Sequence, residues 1–114
     1  MSDDKAPQPE LLTAEAGEEL LAGDDRSTVD VYIPEWKKTV RLRQLSGAES
    51  VGLSELPTKE GLFHIAAMSI IDAKGERIFK DPDRLKVKSA AALSRIQDAA
   101  LKLNGLVQTI SKNG

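Results

Sequence analysis

The chain predicts an α+β domain: an N-terminal β-hairpin packed on a small body of about three α-helices, preceded by a flexible acidic arm. Three observations carry this. Val29, Val31 and Ile33 alternate with Asp30 and Tyr32, and Val40 and Leu42 alternate with Thr39, Arg41 and Arg43. Period-two alternation reads as half-buried strands, and the β-branched residues at the inward positions suit a pleated, packed surface. Downstream, apolar residues recur at helical spacing in two stretches, Leu62–Ile71 and Ala92–Val107. Upstream, residues 1–26 hold eight acids and two bases, a net −6, whereas residues 27–114 hold fourteen bases and ten acids, a net +4.

Taken in order, Met1–Glu10 contains two prolines and no apolar period, so it is expected to be disordered or weakly held. A short helix is expected at about 14–22, capped by Thr13 and ended by Gly23, with Leu20 and Leu21 as its anchors. The arm reads as a solubilising tail, or as a segment that folds back on the basic body or shields a partner surface.

Pro34 cannot donate to a ladder and belongs at a strand end, so the hairpin turns around Pro34–Lys38. Pairing Ile33 with Val40 and Val31 with Leu42 places four apolar side chains on one face. A slip of one residue buries Arg41, whereas a slip of two keeps the faces and leaves the loop length open. Trp36-Lys37 lacks the Gly or Asn of a tight two-residue turn, which favours a longer or irregular loop with Trp36 folded back.

Ser46-Gly47-Ala48-Glu49 is a capping-box pattern and starts a helix that ends before Pro57, with Val51 and Leu56 toward the core. Thr58 opens a stronger helix in which Leu62, Phe63, Ala66, Ala67 and Ile70 share a face that Ile65, Met68 and Ile71 widen. It is expected to run to the turn Asp72–Gly75, followed by a short extended piece with Ile78 and Phe79 on the core, where pairing with the hairpin is open. Asp81-Pro82-Asp83 marks a turn or a short helix, and Ser89 caps the last helix, which Asn104-Gly105 stops. The expected core is Val31, Ile33, Val40, Leu42, Phe63, Ala67, Ile70, Leu93, Ile96, Ala100 and Leu103.

Composition narrows function. No cysteine is present, which excludes disulfides, thiolate metal sites and cysteine nucleophiles. With one histidine, a structural zinc site is not expected. His64 lies in an apolar helix with no neighbouring nucleophile and reads as a packing or surface residue. Asp72–Glu76 lacks the ligand alternation of a calcium loop, and no Gly-rich phosphate loop or catalytic signature occurs. Neither an enzyme nor a cofactor is therefore expected. No stretch approaches the ~20 apolar residues of a membrane span. No basic, then apolar, leader opens the chain, so a soluble cytoplasmic protein is the expectation. Arg41, Arg43, Lys37 and Lys38, with Lys80, Arg84, Lys86 and Lys88, have few aromatics between them, so they read as a solvated or partner-docking face and not as a nucleic-acid site. Trp36, with charges on both sides, is either a lid on the hairpin or an anchor in an interface.

Several stretches carry a resemblance. ELLAGDD at 19–25, VDVYIPEW at 29–36 and VRLRQLSGAE at 40–49 are followed by SIID at 69–72, GERIF at 75–79, SAAAL at 89–93 and AALKLNGL at 99–106. In this order they resemble the tail assembly chaperones of long-tailed bacteriophages. Many relatives carry glycine after the tryptophan, where this chain has Lys37. The resemblance implies an acidic arm at 1–26, a chaperone domain at 27–106 and a tail at 107–114. It implies a non-catalytic protein of the bacterial host cytoplasm, absent from the finished virion, that coats and solubilises the tape measure protein. It also implies help in recruiting tail tube subunits, through a longer form made by translational frameshifting, and leaves self-association open. A small structural or adaptor protein kept in the particle is the alternative. Trp36, Arg41 and Arg43 are the expected contact residues, because the hairpin displays them on or near its wet side.

Overall fold

The computed structural model describes residues 10–105. The expectations for residues 1–9, for Val107 on the last helical face and for the tail at 107–114 lie outside these residues. The fold is α+β: a three-stranded antiparallel sheet and helices gathered on one of its faces. No helix among the described residues is long and apolar enough to cross a membrane.

Helix α1, Ala14–Ala22, begins where Thr13 Oγ1 accepts the Ala16 N–H at 3.2 Å. None of its residues is buried. Leu20 and Leu21, expected as anchors, are exposed, because α1 makes no extended contact with the body.

Strands β1, Thr28–Ile33, and β2, Lys38–Arg43, form the hairpin. The register is Val31 with Val40, Val29 with Leu42 and Ile33 with Lys38, two residues from the first pairing considered. The faces are preserved, with Ile33 and Leu42 buried. The loop is a four-residue turn, Pro34–Lys37, in which the Trp36 N–H donates to the Ile33 carbonyl at 3.0 Å. The chain can reverse so tightly because Lys37 adopts φ +53°, a left-handed conformation that ordinarily favours glycine. Lys37→Gly is therefore expected to stabilise the fold by up to about 1 kcal/mol, read from a urea midpoint, since the strain relieved exceeds the extra entropy of glycine. A lower midpoint would refute this account of the turn.

Helix α2, Gly47–Ser54, starts at the predicted capping box, closed by the Glu49 N–H to Ser46 Oγ at 3.1 Å and the Ser46 N–H to Glu49 Oε1 at 2.8 Å. Its phase turns Leu53 toward the core. Val51, expected inward, is exposed, and Leu56 is half-buried.

Helix α3, Thr58–Ser69, stops earlier than the apolar stripe predicted. Ile70–Ile71 is a short strand, β3, paired with β2 through Leu42–Ile70 and Arg41–Ile71. Two β-branched residues gain a sheet partner here that no helix could offer, and Ile70 is buried against Leu42. The chain then turns at Gly75, φ +87°, and Arg77 bridges back to Ile71. Alternation along this piece puts Phe79 against the core, while Ile78, expected inward, is exposed.

A 3-10 helix, Pro82–Val87, inserts Leu85 into the core, and α4, Ala90–Leu103, follows its Ser89 cap. Helix α4 packs on α3 and on the inner face of β1 and β2. The core holds Ile33, Leu42, Ala67, Ile70, Leu93, Ile96 and Ala100 as expected, together with Ile65, Ala66, Leu85 and Ala92. Val31, Val40, Phe63 and Leu103 are only half-buried, because they lie at the rim of the layer. Ser69 is fully buried, and its Oγ has no hydrogen-bond partner. Ser69→Ala is expected to raise stability by about 1–3 kcal/mol in denaturant unfolding, since it removes an unpaired buried hydroxyl. A destabilised variant would show that the hydroxyl has a partner.

Candidate protein-binding surface

The hairpin brings two of the three residues proposed as contacts together, Arg41 and Arg43 beside one shallow region of the outer sheet face, and leaves Trp36 apart in the turn. Trp36 occupies the third position of the turn and is half-buried against the core cluster. The turn is tied down beside it: the Arg95 guanidinium donates to both carboxylate oxygens of Glu35, at 2.9 and 3.1 Å, joining the loop to α4. This hydrogen-bonded pair holds the Glu35 carboxyl below its ordinary range.

Arg41 and Arg43 lie on the outer face of the sheet. Arg41 is exposed and donates to both oxygens of Asp30, the residue opposite it on β1, at 2.8 and 3.1 Å. The pair lowers the Asp30 pKa and raises that of Arg41. Arg43 is largely covered: its Nη1 donates to the Gly75 carbonyl at 2.9 Å and lies 4.0 Å from Asp24. It therefore fastens the loop after β3 to the sheet. The hydrogen bond from Arg26 holds the Asp24 carboxyl at about 2. Tyr32, exposed beside Thr39, completes the outer face around Arg41.

Of the later basic residues, Lys86 is partly neutralised. The Lys86 ammonium lies 3.1 Å from Asp83 and 3.7 Å from Glu60, and 5.6 Å from the centre of the Phe63 ring. Among the described residues, no group of three or more acidic or histidine side chains could hold a metal ion.

Several concave regions adjoin the strands, and two of them reach the C-terminal end of α4. A cleft of about 610 Å³ runs between Ala22–Arg26, Gln44–Gly47 and Asn104. It is pinned by the Gln44 amide donating to the Leu103 carbonyl and by Asn104 Oδ1 accepting the Leu45 N–H, both at 2.8 Å. A smaller, apolar groove of about 260 Å³ lies between β1 and α4, lined by Val29, Ala99, Lys102 and Leu103. Sequence reasoning missed this groove. Its one legible signal was Val29, an apolar residue at the start of a strand, since which helix lies opposite is decided only in three dimensions.

No family model matches the chain, and no curated protein does. Among solved structures, the chain is similar to the tail assembly chaperone of bacteriophage HK97, with a TM-score of 0.62 and 18% sequence identity, over 84% of this chain and 100% of that one. The chain therefore has the fold of a bacteriophage tail assembly chaperone, as the order of its sequence motifs led one to expect.

Proposed function

We propose that this chain is a non-catalytic chaperone of phage tail assembly, which binds the tape measure protein, keeps it soluble and helps to recruit tail tube subunits through a longer form of itself. The observation that carries this reading is the shared fold along the whole length of the HK97 chaperone. The surface is compatible with the role. Exposed leucines on the arm, and Tyr32 and Arg41 on the outer sheet face, provide scattered modest contacts. Many copies binding a long filament gain avidity without any single strong site, so tube subunits can displace them.

Co-expression with the tape measure protein of the same phage is the test. That protein is expected to be soluble and to co-purify with several copies of this chain. If it stays insoluble and unbound, the proposal fails. Mass spectrometry of purified virions is expected to lack the chain; its presence would favour a retained structural protein.

Trp36→Ala separates packing from contact. Its seat against the core predicts a loss of about 2 kcal/mol or more in unfolding, with capture of the tape measure protein retained at a temperature where the variant is folded. A melt unchanged within about 1 kcal/mol, with capture lost, would place Trp36 in the interface instead.

A further inference from the structure

Strand β1 is the outer strand of the sheet, with β2 on one side and no strand on the other among the described residues. The Gln44 N–H donates to the Ser27 carbonyl at 2.9 Å, which sets the phase of the ladder. Val29, Val31 and Ile33 therefore bond to β2, and the N–H and C=O groups of Thr28, Asp30 and Tyr32 point outward. Protein edges are commonly guarded by lysine, proline or a bulge. Thr28–Ile33 contains none of these, and Asp30, its only charge, is engaged by Arg41. Directly beside this strand lies the apolar groove of Val29, Ala99, Lys102 and Leu103. Val29 is 38% exposed there, and Lys102 forms no ion pair among the described residues.

We propose that the edge of β1 and this groove form a docking site for an extended segment of a partner polypeptide, which adds as a fourth strand. Its main chain pairs with Thr28, Asp30 and Tyr32. Its alternate side chains are apolar and enter the groove, and a carboxylate on the same side meets Lys102. Strand addition takes its affinity from main-chain bonds and its specificity from such alternate pockets.

Charge and period select this occupant over three nearer ones. A second copy of β1 offers only Val29, Val31 and Ile33 on the matching face, with no acid for Lys102. The residues of this chain after Gly105, LVQTISKNG, contain no Asp or Glu side chain. The arm is acidic, but its leucines come in adjacent pairs, 11–12 and 20–21, which point to opposite sides of a strand. The site does not depend on the tail-assembly reading and can fail without it.

The test uses the full chain, labelled with ¹⁵N, and a six-residue acetylated peptide of alternating valine and threonine with one glutamate in place of a valine. At millimolar peptide, slowed hydrogen exchange is expected at the amides of Thr28, Asp30 and Tyr32, with little change at Val29, Val31 and Ile33. Methylating the peptide nitrogens on its bonding edge is expected to abolish the effect, and methylating the opposite edge to leave it. Lys102→Glu is expected to weaken binding, and a peptide with lysine for glutamate to restore it. The proposal is overturned by an absence of protection, by equal binding of both methylated peptides, or by shifts confined to another face. It is also overturned if the free chain already protects these three amides, since the edge is then occupied by the chain itself or by a second copy.

Discussion

Ile96→Ala is expected to lower the unfolding free energy by about 2–5 kcal/mol. Ile96 is fully buried in α4, the helix that packs on α3 and on both hairpin strands. Truncation removes apolar contacts and leaves a cavity that three elements, each fixed by the others, cannot collapse to fill. For a domain of this size that corresponds to a fall in melting temperature of roughly 10 °C or more. Secondary structure below the transition should persist, since the Ser89 cap and the sheet ladder are untouched. A thermal melt indistinguishable from that of the parent would refute the placement of this helix face.

Leu42→Ala is expected to be comparably destabilising, again by about 2–5 kcal/mol, for a different reason. Leu42 is fully buried in the central strand, with Val29 opposite on one side and Ile70 on the other. It is the side chain over which the hairpin and β3 meet. Its loss should therefore loosen the Ile70–Ile71 pairing as well as the core, and amide exchange at Ile71 and Ile78 should accelerate with the fall in stability. A loss below about 1 kcal/mol, or unchanged exchange at β3, would show that the third strand is held by something other than this contact.

Much of the fold could be read before any coordinates. The hairpin faces, the caps at Thr13, Ser46 and Ser89, and the stop at Asn104-Gly105 are local chemistry. Each depends on a side chain and a backbone group within a few residues of one another. The α4 stripe was legible for the same reason, since its period alone places Ala92, Leu93, Ile96 and Ala100 together. The errors fall where local signals are degenerate. Ile70 and Ile71 fit the helical stripe of α3 and also a strand, and only the open side of β2 chose between them. A register slip of two leaves every face correct, so the turn had to decide it, and Lys37 accepts a conformation its type disfavours.

The fold class, the periods of the hairpin strands and of α4, and the caps of α1, α2 and α4 were legible in the residues alone, because these rest on interactions between groups close in the chain. Packing settled everything else, including where α3 gives way to β3. It put Val51 and Ile78 in solvent and Leu53 and Phe79 on the core. It committed Arg43 to the Gly75 carbonyl, seated Trp36 on the core, left the arm's leucines uncovered, and placed Val29 across from Ala99 and Leu103 beside an open strand edge. Each of those outcomes depends on which distant segment lies opposite. No local period encodes that choice; packing of the sheet, α3 and α4 settles it together.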